Sequence, residues 1–394
     1  MHQSTPPPAN MPSPIASILT HFSSIPDPRM RRKQRHQLGD IFFITLCAVI
    51  CGADNWVAIE AFGKAKKAWF VDVLNLKHGI PSHDTLGKVF AAIDHAFFSE
   101  CFSRWVADLV SLQGGEIIAI DGKCLRRSAD KASGKSAIHM VSAWACSNRL
   151  VLAQQKVDDK SNEITAIPKL LMQLNIAGAV VTLDAMGCQT KIATQIIEQG
   201  ADYMLSLKGN QGSLHKDVKL FFEAKSTRPP VLHEEYDGGH GRVETRTIRA
   251  TADIDWLKAQ HPDWAGLQSL VAVTAKREFK GKGDEKTTEE TRYFISSLDA
   301  TDPKRLGQVV RAHWGVENQL HWVLDMAFDE DALRNREGNS AANMSIIRHA
   351  ALNLVRAEKT SKVGVKTKRL QAGWNDDYLL QVVTGQAPAD EGKT

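Results

Sequence analysis

Apolar residues recur every three to four positions in Ile41–Cys51, Trp56–Phe70 and Phe97–Leu112, and no alternating stretch interrupts them. That spacing predicts helices, so an all-α N-terminal domain is expected over 15–112. Ser82, in Pro81-Ser-His-Asp-Thr85, can cap a helix that presents Lys88 near its start. Such a helix either reads DNA within a helix-turn-helix or is a plain packing helix. After Gln113-Gly-Gly115 the texture changes. Glu116-Ile-Ile-Ala-Ile-Asp121, Ile138–Ala145 and Leu150–Val157 read as strands, and Ile164–Leu174 reads as a helix. Ala179-Val-Val-Thr-Leu-Asp184 is a strand, Ile192–Gln199 a helix, Tyr203–Leu207 a strand and Leu214–Ala224 a helix. The order βββαβαβα predicts an α/β unit with a mixed sheet and helices on both faces. Val243–Ala250, Leu267–Lys276 and Glu290–Ser296 are rich in β-branched residues and predict a β-rich insertion over 229–297. Helical spacing returns in Arg305–Phe328 and Asn343–Val355, so the α/β core spans 113–228 and 298–360. The polar, proline-rich residues 1–14 are expected as a disordered leader and 361–394 as a C-terminal tail.

Composition narrows the class. Of 394 residues, 43% are hydrophobic and 24% charged, which excludes a mostly disordered chain. The best apolar run, Ile41–Ala53, is far too short to span a bilayer. The N-terminus lacks the cationic start and apolar stretch of a secretory signal. A cytoplasmic protein with no membrane partner is expected. The net charge of +4 is too small to name a partner, but five of the eight residues Arg29–His36 are Lys or Arg. Arg31, Arg32, Lys33 and Arg35 in that run either contact phosphates or form a solvated face. Six cysteines are scattered without a Cys-x-x-Cys pair, and Cys47 and Cys51 read as core thiols rather than zinc ligands.

The candidate chemistry lies in carboxylates. Asp121 and Asp184 each end an apolar strand, with a glycine close behind. An aspartate at the carboxyl end of a sheet strand points into the crevice where open α/β sheets bind ligands. If the two strands are adjacent, the carboxylates repel unless a cation lies between them, and magnesium suits that arrangement. The alternative is that each aspartate caps a helix or turn. Further on, Glu317, His321 and Asp325 are four residues apart, which on an α-helix places them along one face, with Asn318 and His313 nearby. His313 and His321 either satisfy core hydrogen bonds or serve a site. Two strand carboxylates and one helix carboxylate can assemble a two-metal site for phosphoryl transfer. No Gly-x-Ser-x-Gly elbow, phosphate-loop motif or His-Glu-x-x-His pattern offers another chemistry.

Several blocks then carry a family resemblance: Ile25-Pro-Asp-Pro-Arg29, Gly79-Ile-Pro-Ser-His-Asp-Thr85, Ile118-Ala-Ile-Asp-Gly-Lys123, His139-Met-Val-Ser-Ala-Trp144, Lys160-Ser-Asn-Glu-Ile-Thr165, Thr182-Leu-Asp-Ala-Met-Gly-Cys-Gln189 and His313-Trp-Gly-Val-Glu-Asn318. From about Phe22 to Val382 the chain resembles insertion-sequence transposases of the ISAs type, including the H-repeat-associated proteins, within the DDE superfamily. The resemblance implies a ribonuclease-H-like catalytic core with a β-rich insertion before the glutamate. It also implies Asp121, Asp184 and Glu317 as the catalytic, metal-holding triad, with Mg²⁺ (Mn²⁺ substituting) in a two-metal site.

The expected reaction is cleavage of double-stranded DNA at terminal inverted repeats and joining to target DNA, by a homodimer on paired ends at the nucleoid. The alternative is a catalytically inactive DNA-binding protein, a decayed copy or a repressor, that occupies element ends. Asn318 and His321 are expected to support Glu317, and Lys123, Arg126 and Arg127 to hold DNA near the metals. Lys160-Ser-Asn-Glu163 either supports the site, as the resemblance implies, or starts a helix capped by Ser161 or Asn162. Trp314 and Trp322 are expected to pack their helix against the sheet rather than stack on a base. One departure stands out. Related cut-and-paste transposases carry a tyrosine and an arginine before the glutamate and a lysine after it, where this chain has Val310, His313 and Leu324.

Overall fold

The computed structural model describes residues 20–74, 76–110, 112–129, 134, 136–158, 161–224, 230–239, 242–279 and 286–385. The expected leader 1–14 and Lys160 lie outside the described residues. Among those described, the chain begins with α1 (Leu38–Ile50), α2 (Trp56–Ala65), α3 (Lys67–Leu74), α4 (His83–Ala92) and α5 (His95–Leu109). Three strands follow, β1 (Ile117–Leu125), β2 (Ile138–Ala145) and β3 (Leu150–Lys156). Then come α6 (Glu163–Leu171), β4 (Val180–Leu183), α7 (Thr190–Glu198), β5 (Asp202–Leu207) and α8 (Gly212–Glu223). The next stretch holds β6 (Val231–Gly239), β7 (Arg242–Thr251), α9 (Asp255–Gln260), β8 (Ser269–Phe279) and β9 (Lys286–Ser296). Last, α10 (Pro303–Gly315) passes through a π-helical turn, Val316–His321, into α11 (Trp322–Phe328), followed by α12 (Ser340–Ala357), α13 (Val365–Trp374) and α14 (Asp376–Thr384). No helix among the described residues is long and apolar enough to cross a membrane.

These elements form two compact units. One comprises the chain through Val110 together with 124–140 and the stretch from His321 onward; the other comprises 111–123 and 141–320. The first is almost entirely helical. Its α1 is apolar on every side and buried from Ile41 to Ile50, so it serves as a central rod rather than an amphipathic surface helix. The long α12 is likewise buried from Ser340 to Val355. Its Asn343 donates to Phe90 O (2.8 Å) and Ile93 O (3.0 Å) and meets His95 Nδ1 (3.0 Å), so this buried amide is satisfied where α4 gives way to α5. Ser82 caps α4 by accepting from Thr85 N (3.3 Å), as its position in the sequence implies. The run expected as one helix over Trp56–Phe70 breaks at Lys66 into α2 and α3. The stretch expected as a C-terminal tail carries α13 and α14. Arg369 anchors them through buried bonds to Val49 O (2.6 Å) and Asp54 Oδ1 (2.7 Å).

The second unit is a mixed sheet in the order β3-β2-β1-β4-β5-β9-β8-β7-β6. β1, β4 and β5 are parallel neighbours, and β9 runs antiparallel to β5 with Leu207 opposite Tyr293. The β-rich stretch is therefore a continuation of the core sheet rather than a separate layer. Two of its elements were not expected: β6, the outermost strand, whose apolar Val231 and Leu232 are both exposed, and the single-turn-and-a-half α9. Side chains alternate across the strands. Ile117, Val180, Met204, Ile248, Val271 and Phe294 gather on one face against Leu306 and Val309 of α10. Gly307 permits that approach, since a Cβ there would stand 2.9 Å from Ile248 Cγ1.

Candidate active site

The register of the parallel strands builds the site. Ile120 of β1 lies opposite Leu183 of β4, so the next residues, Asp121 and Asp184, stand side by side on strands ~4.8 Å apart. The alternation that aims Ile117 and Val180 at α10 aims both aspartates at the same face. From the end of α10, Glu317 enters the cavity that Asp121 and Asp184 line, a space of about 210 Å³. Thr182, two residues before Asp184, bonds through Oγ1 to His313 Nδ1 (2.9 Å) and so ties α10 to β4. Burial holds the His313 imidazole below its usual pKa, against the pull of Asp184, so it is a neutral fastener.

The cavity concentrates negative charge. Burial, and behind it the charges of Asp184, Glu163 and Glu317, pushes the Asp121 carboxyl from 3.8 up to about 7, against the stabilising Gly122 N–H. Asp184 Oδ1 accepts from Met186 N (3.0 Å) and Gly187 N (3.1 Å). The turn-capping reading of that aspartate is thus realised, and the same residue faces the cavity. Glu163, the first residue of α6, is raised by burial and by Asp184. Its carboxylate occupies the space where a Cβ on residue 122 would be, with Oε1 only 2.0 Å from that position, so only glycine fits at 122 with Glu163 as placed. Asn162 takes the helix-cap position but its side chain makes no capping bond. Sequence reasoning therefore left Glu163 among helix-start residues, although its block pointed here.

Two cations that sequence reasoning missed also line the cavity, Lys208 and Arg292. Lys208 follows the parallel strand β5, the same strand-end context that marked the aspartates, so the signal was present. Arg292 reaches the cavity only because β9 pairs with β5, which no local pattern shows. Its guanidinium lies 4.8 Å from the Trp314 ring centroid. Asn318 lines the adjoining cavity with Arg292 and Trp314, not the one holding the three carboxylates. His321 ends the π turn and belongs to the first unit. Val316–His321 winds i→i+5, so Glu317 and His321 lie on a π turn and Asp325 on the helix after it, not on the one unbroken α-helix that their spacing implies. Trp314 and Trp322 are 43% and 61% exposed, which corrects the expectation that they pack against the sheet; Leu320 and Leu324 are the buried residues there. At the positions of the family's missing arginine and lysine, His313 is fastened to Thr182 and Leu324 is buried, so neither supplies a cation.

Arg31, Arg32, Lys33 and Arg35 are exposed and form no ion pair with a described residue, whereas Arg29 is held by Asp27 (2.7 Å). Arg126 and Arg127 are exposed, and Arg126 Nε lies 3.3 Å from Asp331. Lys123 is half-buried on β1. For a divalent cation, the donor set around Asp121 and Asp184 fits: it is made of carboxylate oxygens, with no thiol lining it. Among the described residues, no group of three or more His, Cys, Asp or Glu side chains is placed so that it could hold a metal ion; Asp121, Asp184 and Glu317 line one cavity without forming such a group.

A mixed sheet with aspartates at paired parallel strand ends and a glutamate on a following helix defines a class, and comparison with known families names it. The description "Transposase DDE domain" matches residues 112–354, and "DDE_Tnp_1-associated" matches 19–106. The chain belongs to the DDE transposase family, which carries a ribonuclease-H-like fold. It is 40% identical over 375 residues to the H repeat-associated putative transposase YhhI of Escherichia coli (strain K12), covering 94% of this chain and 98% of that one. It is 43% identical over 380 residues to the putative transposase YncI of Escherichia coli O157:H7, covering 94% and 95%.

Proposed function

We propose that this protein cuts double-stranded DNA at the terminal inverted repeats of an insertion sequence and joins the ends to target DNA. The observation that carries the reading is the register-matched pair Asp121 and Asp184 with Glu317 lining the same cavity. These three would hold two Mg²⁺ ions, replaceable by Mn²⁺; such ions activate the attacking water or 3′-hydroxyl and stabilise the leaving 3′-oxygen. The two amides at Met186 and Gly187 keep Asp184 fixed, and the Asp121 carboxyl gives up its proton when cationic charge enters the cavity. Lys208 and Arg292 offset phosphate charge at the rim. Asn318 and His321 support Glu317 from the π turn that they share with it.

DNA outside the cavity is held by Arg31, Arg32, Lys33 and Arg35 and, past the first aspartate, by Lys123, Arg126 and Arg127. At Arg126 it would displace Asp331. The protein acts as a homodimer on paired ends, in the cytoplasm at the nucleoid. The test is Mg²⁺- or Mn²⁺-dependent nicking of DNA bearing the flanking repeats. Asp184→Asn should abolish it; undiminished nicking would remove this site. End binding without nicking by the unaltered chain would favour the inactive DNA-binding reading.

A further inference from the structure

A second cavity, of about 480 Å³, lies wholly within the first unit, between the starts of α2 and α4 and the segment leading into α12. Nothing in the catalytic reading uses it. Lys88, Arg334 and Arg336 line it as cations, and Trp56 forms an aromatic wall. Two carboxylates, Asp84 and Glu337, also border it, which leaves one net positive charge; His83 is engaged by Glu60 (2.6 Å). Lys88 and Arg334 are exposed and form no ion pair with a described residue, so their charge is available.

The cavity also presents hydrogen-bonding groups without partners among the described residues. The Ser340 side chain is 2% exposed, yet its Oγ has no hydrogen-bond partner among the described residues, and neither has the buried Asn335 Nδ2. Both residues line this cavity. A buried donor left unmade costs about 1–3 kcal/mol, so two in one polar cavity point to a ligand that accepts hydrogen bonds. Ser340 is also the first residue of the eighteen-residue α12, whose N-terminal dipole favours an anion. Asn339, in the cap position, donates its side chain to Ile93 O (3.0 Å) instead of capping that helix. Cations, neutral donors and a helix start converge on an anionic acceptor, and the aromatic wall suits a sugar or base beside it.

We propose that this cavity binds the DNA backbone, with Lys88, Arg334 and Arg336 pairing to phosphates and Ser340 Oγ and Asn335 Nδ2 donating to their oxygens. The assignment rests on the transposase reading only in choosing DNA as the phosphate source. It adds a contact surface distinct from Arg31–Arg35 and from the carboxylate cavity.

The test measures binding of the full chain to a duplex carrying the element end, across a range of salt concentrations, with inorganic phosphate as the competing small anion. For Lys88→Gln with Arg334→Gln, the slope of log affinity against log salt should shrink by about two, roughly 0.9 per lost contact. Lys88→Arg with Arg334→Lys should keep the slope. If the double glutamine variant melts lower, Lys88→Gln alone should still shrink the slope by about one. Ser340→Ala should leave the melting temperature unchanged or raise it, because the lost hydroxyl has no partner among the described residues, yet weaken DNA binding several-fold. An unchanged slope in these variants, while the unaltered chain binds and nicks DNA, overturns this assignment and leaves the catalytic reading standing. Displacement of DNA by millimolar inorganic phosphate at constant ionic strength would also overturn it, assigning the cavity to the free anion. Failure of the unaltered chain to bind any duplex would overturn the transposase reading itself.

Discussion

Asp121→Asn should stabilise the protein in the absence of divalent cations, and more so at alkaline pH. In the folded chain the Asp121 carboxyl is pushed from 3.8 up to about 7 by burial and by the charges of Asp184, Glu163 and Glu317. Between those values the folded chain keeps a proton that the unfolded chain has lost, so stability falls as pH rises across the window. The full deficit is reached above about pH 7. At ~1.36 kcal/mol per pH unit it amounts to roughly 4 kcal/mol, of which about a third is present at pH 5. The asparagine cannot ionise, so its advantage over aspartate should grow by roughly 2–3 kcal/mol between pH 5 and pH 8. For a unit of this size that is on the order of 5–10 °C in melting temperature. Thermal melts in EDTA at both pH values check it. Glu163 is raised in the same direction, but it is present in both proteins and largely cancels in the comparison. Magnesium added at pH 8 should then raise the melting temperature of the unaltered protein and do much less for Asp121→Asn. An advantage equal at pH 5 and pH 8 would refute the reasoning, because it would not come from ionisation.

Gly122→Ala drives a methyl into the Glu163 carboxylate, whose flexible end can swing away. Melting should change little, nicking should fall by tenfold or more, and Glu163→Ala should give the same defect with no further loss in the double variant; additive losses in nicking would show that Glu163 does not act through this placement. Trp322→Ala removes a 61% exposed ring, so unfolding in urea should shift by no more than about 0.5 kcal/mol, while His321→Ala should lower nicking with end binding intact. Arg369→Met strips the buried partner from Asp54 and from Val49 O, and denaturant titration should show a loss of about 3–5 kcal/mol.

The legible part of the site was local. Short apolar strands ending in Asp121 and Asp184 announce themselves by run length and termination, whereas their parallel pairing stayed conditional in the sequence, because β2 and β3 as well as α6 lie between them. Lys208 stands in the same strand-end context, and only its charge sets it apart from the aspartates. The π turn was invisible because four-residue spacing is read on an α-helix, and one altered turn re-aims every later side chain. Of the two exposed tryptophans only Trp322 follows that turn; Trp314 precedes it on α10, where the Arg292 guanidinium lies over its ring. Strand β6 escaped notice because an edge strand need not bury one face, and α13 and α14 because Arg369 and Lys368, polar in sequence, do the anchoring from buried positions.

The long excursion between Lys208 and Pro303 shows why a glutamate so distant in sequence can reach two strand ends. The four strands β6 to β9 extend the core sheet instead of leaving it, and β9 returns antiparallel beside β5. The chain therefore re-enters next to the parallel strands, and α10 can lay Leu306 and Val309 across the face where Ile117, Val180 and Met204 already gather. Thr182 and His313 then fix the helix along its length to the strand that bears Asp184. Such packing sets the helix position to within a side chain, but an unbroken α-helix would continue with a fixed rotation per residue. The i→i+5 turn begins at Val316, one residue before Glu317, so the glutamate leaves the α-helical register just as it enters the cavity. The sheet extension fixes where the helix lies, and the π turn sets how its last residues are aimed.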